Sequence, residues 1–157
     1  MCARARRSTA KRLGINIIQT SVKDATIKEG YEEKFDKILL DVPCLGIGVI
    51  RRKPDIKWKH NKEDIEEITK IQKEILQNCS QYLKKGGELV YSTCSILQVE
   101  NEKIINDFLA ENKNFEIVKI PIEKESIFYK YQVKDGNIKV LPNQESDGFF
   151  ISKLKKI

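Results

Sequence analysis

The chain is poor in the residues that build metal knuckles and secreted scaffolds. It has one histidine, His60, and four cysteines, Cys2, Cys44, Cys79 and Cys94, none spaced Cys-x-x-Cys. This excludes the common zinc patterns and a small disulfide framework, and it points to a reducing compartment, read as cytoplasmic. No apolar run approaches the ~20 residues of a membrane span, so no membrane partner is expected. Internal repeats and low-complexity tracts are also lacking. Acidic residues are missing from Met1 to Lys23, where six residues are Lys or Arg, a composition like that of an organelle transit peptide. Leu13, Gly14, Ile15, Asn16, Ile17 and Ile18 nonetheless read as a helix stop running into a strand, which assigns this segment to the fold.

What is present suits one globular domain spanning residues 1–157, with 40% hydrophobic and 33% charged residues and enough length to bury a core without a metal or disulfide. The formal net charge of +6 leans toward a polyanionic partner.

Periodicity predicts a helix over Ala3 to Leu13 closed by Gly14, a short strand over Asn16 to Gln19, and a polar loop holding Asp24. Lys37 to Val42 is a second strand, whose run Ile38, Leu39, Leu40 suits burial on both faces. A loop rich in Gly and cations leads to a long helix over Lys62 to Lys84. It is capped by Asn61, carries an apolar face of Ile65, Ile68, Ile71, Ile75, Cys79 and Leu83, and ends at Lys84, Lys85, Gly86, Gly87. A strand over Glu88 to Thr93, a helix over Gln98 to Asn112, and strands over Phe115 to Ile120 and Phe149 to Leu154 follow. The stretch from Ile122 to Asp147 reads as loop, with a hairpin around Asp135 and Gly136. Strands alternating with helices imply a doubly wound α/β sheet. Such sheets hold nucleotides on a first strand feeding a Gly-rich turn and a helix amino end, and the sequence offers no such unit.

Cys44 and Cys94 each follow a strand-like segment, in Asp41, Val42, Pro43, Cys44 and Ser92, Thr93, Cys94, Ser95. Consecutive parallel strands place their carboxyl ends about 4.8 Å apart on the edge where α/β proteins do chemistry. One thiol is therefore expected to attack and the other to assist.

The strings FDKILLDVPCLGIGVIRRKPDIKW, from Phe35 to Trp58, and LVYSTCSILQVENE, from Leu89 to Glu102, resemble the S-adenosylmethionine-dependent RNA cytosine-5 methyltransferases. Within these the chain is most similar to the bacterial small-subunit rRNA enzymes of the RsmB, Sun or Fmu type, whose closing DGFF segment matches SDGFFISKLKK, from Ser146 to Lys156. The resemblance implies an incomplete Rossmann-like class I methyltransferase sheet, the carboxyl-terminal portion of a catalytic domain. The family's first strands, Gly-rich cofactor loop, catalytic lysine and ribose-binding acid lie upstream of the matched region. It implies S-adenosyl-L-methionine as cofactor and ribosomal RNA as partner, with Cys94 as nucleophile and Cys44 as the cysteine that helps release product. Asp41 corresponds to an acid at the cofactor and cytosine edge, and Asp24 to one contacting the adenine side of the cofactor.

That chemistry wants two thiols. Carbon 5 of cytosine is a poor nucleophile until a thiolate adds to carbon 6, and the carbon-5 proton must afterwards leave for the bond to sulfur to break. The basic loop suits phosphate neutralisation and base stacking, with Arg51, Arg52 and Lys57 as RNA-binding candidates beside Trp58. His60 has no partner that suggests catalysis. The departures from the family pattern predict a truncated or split enzyme that binds cofactor weakly alone, with Lys37 to Val42 an unprotected apolar edge and a companion polypeptide as a possible source of the missing half. The competing readings are a non-catalytic RNA-binding fragment and a thiol redox protein using Cys44 and Cys94.

Overall fold

The computed structural model describes residues 3–157 other than 125, 127, 128 and 132–135, with side chains from residue 8 onward. Helix α1 (Ala3–Arg12) is followed by β1 (Phe35–Asp41), a short α2 (Ile56–Lys59), the long α3 (Lys62–Gln81), β2 (Leu83–Thr93) and α4 (Glu102–Glu111). Three more strands complete the sheet: β3 (Phe115–Ile117), β4 (Ile138–Val140) and β5 (Phe149–Lys156). The strand order is β1-β2-β5-β3, with β4 also paired to β5. β1 runs parallel to β2, and β5 runs antiparallel to β2, β3 and β4. The α/β expectation holds, in a mixed sheet.

Helix α3 links the two parallel strands. Asn61 accepts from the Asp64 backbone N–H while the Asp64 side chain accepts from that of Asn61, a reciprocal cap that satisfies donors the helix cannot. Glu63 and Asp64 add negative charge at the positive end of the helix. The apolar stripe of α3, including Ile75, Leu76 and Cys79, meets Ile104, Ile105 and Phe108 of α4 and Leu40, Leu89, Tyr91, Phe150 and Leu154 of the sheet in one core. Lys73 to Asp107, at 2.7 Å, ties the two helices at the surface.

Several local expectations are corrected. Asn16 to Gln19 is not a strand: Ile17 is 92% exposed, and no described strand offers it a ladder partner. The long helix ends at Gln81, and the two glycines lie inside β2 instead. There Gly86 has φ +80° and the register slips from Phe35↔Leu83 to Lys37↔Glu88, a bulge that requires glycine. The second helix starts at Glu102, because Gln98 to Asn101 form a turn closed by Glu100 N–H to Leu97 O and Asn101 N–H to Gln98 O. Phe115 to Ile120 is shortened to β3, and the segment read as loop contributes β4. Of the expected hairpin, Asp135 lies outside the described residues, and Gly136 has φ +90°. β1 is buried on one face only: Leu40 is in the core, whereas Leu39 is 70% exposed on an edge strand.

Truncating Leu76, which is buried at the meeting of helices and sheet, to Ala should cost about 2–5 kcal/mol. Asn61→Ala should cost about 1 kcal/mol. Urea denaturation measures both, and equal losses would contradict the packing described.

Candidate active site

The parallel pairing of β1 with β2 continues one residue past the end of β1. Asp41 lies opposite Ser92, and the Val42 N–H donates to Ser92 O at 3.2 Å. Cys44 and Cys94 therefore emerge side by side, their Sγ atoms 3.2 Å apart and both half-buried. At this distance one S–H donates to the other sulfur. Cys44, as donor and partly buried, is pushed well above the usual thiol range. Cys94, as acceptor, is drawn down to about 7 by the Cys44 hydrogen bond, against burial and the opposing charges of Asp41 and Glu100. Cys94 is thus the sulfur that ionises first.

Three glycines let the surrounding segments close on this pair. Gly46 has φ +72°, and a Cβ there would lie 3.9 Å from the Cys94 Sγ. The Gly48 N–H donates to Cys94 O at 3.0 Å, and the Gly148 N–H to Gly48 O at 2.8 Å. A Cβ on Gly48 would collide with both Cys94 O and Gly148 O. The segment leading into β5 is thereby laid across the loop after Cys44.

Asp41 is exposed at the end of β1 and accepts from the Ser92 hydroxyl at 3.1 Å. Asp24 sits in a separate exposed turn, accepting from the Thr26 N–H and hydroxyl at 2.9 and 2.7 Å. These bonds hold its carboxyl below the usual range, and none of its described contacts reaches the thiols. Arg51 and Arg52, expected to face RNA, converge on Asp147 at 3.6 and 2.7 Å, and Arg51 also donates to Gln144 O. They pin the basic loop to the segment that crosses it. Lys57 lies 5.4 Å from the ring of Trp58, which is 83% exposed. His60 is 3.8 Å from Asp64.

Sequence reasoning missed a buried polar cluster beneath the thiols: Gln72, Thr93, Ser95, Glu100 and Asn101, all at or near zero exposure. Thr93 donates to Asn101 Oδ1 at 2.6 Å, and Asn101 Nδ2 to Ser95 O at 2.9 Å. Glu100 and Glu102 are two residues apart, and nothing in the string distinguishes the first, which is buried on the cluster, from the second, which pairs with Lys139 at 2.6 Å. Among the described residues no group of three or more His, Cys, Asp or Glu could hold a metal, and no helix is long and apolar enough to cross a membrane.

A Rossmann-like α/β sheet with two thiols in contact at adjoining strand ends defines the class of protein. The family model for 16S rRNA methyltransferase RsmB/F matches residues 3–155, so the chain belongs to that family. It is 41% identical to the probable ribosomal RNA small subunit methyltransferase B of Bacillus subtilis, over 96% of this chain and 34% of that protein. Ribosomal RNA small subunit methyltransferase B of Proteus mirabilis is 44% identical, over 84% and 30%. The crystal structure of PH0851 is similar with a TM-score of 0.84 at 35% identity, over 96% of this chain and 33% of that one. NSun6 from Pyrococcus horikoshii, solved with SFG, has a TM-score of 0.76 at 29% identity, over 98% and 38%. The chain spans about a third of the length of the curated relatives it matches.

Alkylation of Cys94 by iodoacetamide should show a midpoint near pH 7. Removing the donor in Cys44→Ala should raise that midpoint toward the ordinary value of about 8.5, so labelling at pH 7 slows by roughly tenfold. Peptide mass spectrometry across pH measures it, and an unchanged midpoint would show that the shared proton does not set the acidity of Cys94.

Proposed function

We propose that this chain carries the thiol chemistry of methyl transfer to carbon 5 of a cytosine in small-subunit ribosomal RNA. The observation that carries this reading is the 3.2 Å contact between Cys44 and Cys94, within a family whose model is named for 16S rRNA methyl transfer.

The cytosine must be unpaired or flipped so that sulfur meets carbon 6 face-on. The Cys94 thiolate, its own proton already lost to solvent, adds to carbon 6; the C5=C6 electrons shift to C4=C5 and the C4=N3 pair onto N3, which takes a proton from solvent, leaving an enamine nucleophilic at carbon 5. S-adenosyl-L-methionine, when bound, supplies the methyl group. The donor set at this edge suits a positively charged cofactor, because the Asp41 carboxyl is exposed beside the thiols. Asp41 is assigned to the cofactor and cytosine edge. Asp24 is assigned to the cofactor through the oxygen that Thr26 leaves free. After transfer Cys44, once it has lost its own proton, takes the proton from carbon 5 as base or through a water. The electrons of that C–H bond restore the ring double bond and Cys94 leaves as thiolate. Free thiols are what this sequence of steps needs and what the cytoplasm maintains.

RNA engagement is assigned to the basic loop. Trp58 offers an exposed face for stacking beside Lys57. Arg51 and Arg52 offer phosphate the N–H groups that Asp147 and Gln144 leave unused.

RNA containing 5-azacytosine tests the assignment, because addition at carbon 6 requires only the base and Cys94. The protein should form a covalent adduct visible as a shifted band in denaturing gels. Cys94→Ala should abolish it. Cys44→Ala should form it more slowly and retain it longer. Equal trapping by both variants would overturn the roles. In parallel, Trp58→Ala should weaken single-stranded RNA binding by about 1–3 kcal/mol, and Lys57→Ala should reduce the slope of log affinity against log salt by about 1. Filter binding across salt concentrations reads both, and unchanged affinities would move the RNA interface elsewhere.

A further inference from the structure

Glu100 is a fully buried carboxyl that the chemistry above does not use. Its oxygens are filled by donors from the two loops that carry the thiols and from α3. Oε2 accepts from the Leu45 backbone N–H at 3.0 Å and from Gln72 Nε2 at 2.9 Å, and Oε1 accepts from the Ser95 hydroxyl at 2.5 Å. Leu45 follows Cys44 and Ser95 follows Cys94 in the chain. Gln72 also donates to Pro43 O at 2.9 Å, so the residue before Cys44 is gripped through the same amide. The Glu100 backbone is itself anchored, because the Tyr91 hydroxyl of β2 donates to its carbonyl at 2.7 Å.

We propose that Glu100 is a positioning residue that fixes the Cys44 and Cys94 loops to each other and so sets the separation of the two thiols. The pairing of β1 with β2 ends at Val42 and Ser92, two residues short of each cysteine. Beyond that point the Gly48 N–H to Cys94 O bond is one bridge between the loops, and the Glu100 carboxyl is the side-chain bridge. A carboxyl group suits the task because it accepts at both oxygens, and every group aimed at it here is a donor. An amide keeps the Leu45 and Gln72 bonds only by turning its N–H₂ onto the Ser95 Oγ, which already accepts from the Leu97 N–H, and it leaves the Ser95 hydroxyl proton without its acceptor. Asp is one methylene too short to keep both arms. The idea rests on the reading that the two thiols act together.

The rate at which diamide links Cys44 to Cys94 is a ruler for their separation. In that reaction the two thiols lose two protons and two electrons to form the S–S bond, and diamide is reduced to its hydrazine. The wild-type chain should pair these cysteines rapidly, as read by peptide mapping under non-reducing conditions. Glu100→Gln should slow pairing by about tenfold or more, the effect of displacing reacting groups by a fraction of an ångström to an ångström. Ser95→Ala removes one arm only, should slow pairing less, and decides the matter if E100Q does not fold by circular dichroism. Ser95→Ala, which keeps the Glu100 charge that opposes ionisation of Cys94, should also raise the pH midpoint of Cys94 alkylation, since Cys44 would no longer donate to it. Folded variants that lose thermal stability but keep the wild-type pairing rate and midpoint would make Glu100 a merely structural residue and overturn the proposal. Slow pairing in E100Q together with an RNA adduct that survives Cys94→Ala would sink the methyl-transfer reading while leaving the role of Glu100 intact.

Discussion

The parallel pairing of β1 with β2 is the constraint on which the rest of the molecule depends. Asp41 opposite Ser92 fixes where each strand stops, and stopping together is what places Cys44 against Cys94. Helix α3 exists to make that pairing possible, since parallel neighbours need a long crossover. Its reciprocal cap and apolar stripe set the helix over the sheet, and Gln72, midway along it, reaches down to the loop that carries Cys44. Helix packing, strand register and thiol geometry are one arrangement viewed at three scales.

A second layer of control is electrical. Two thiols in contact cannot both ionise readily, and the first proton lost leaves a thiolate that the remaining S–H stabilises. Here the asymmetry favours charge on Cys94 and retention of the proton on Cys44. That division matches a nucleophile and a partner that acts later. Asp41 and Glu100 oppose ionisation of Cys94, so the hydrogen bond from Cys44 has to outweigh both. Among the described residues, Cys94 is drawn down first by the Cys44 hydrogen bond and then by its own backbone N–H.

Much of this was legible from the residues. Ile38, Leu39 and Leu40 marked a strand, the spacing of Ile65 to Cys79 marked a helix face, and the two motif cysteines at strand ends marked a shared edge. The sequence misled where a residue type serves two purposes. Gly86 and Gly87 read as a helix stop but form a strand bulge, because glycine answers both needs. Ile17 and Ile18 read as a strand but stand in solvent, because β-propensity does nothing without a ladder partner. The ion pairs of Arg51 and Arg52 were not legible at all, because Asp147 is a carboxyl nearly one hundred residues away that no local pattern connects to them.

The amino-acid order by itself determined the family motifs, the helices and the adjacency of two thiols, since each follows from local periodicity and from the rule that parallel strands share an edge. Only the tertiary structure decided that the sulfurs touch, that Cys94 is the more acidic, and that Glu100 rather than Glu102 lies beneath them. The reason is that distance and burial are set by segments far apart in the chain. A side chain acquires its donors, its solvent and its pKa only when those segments have packed against it.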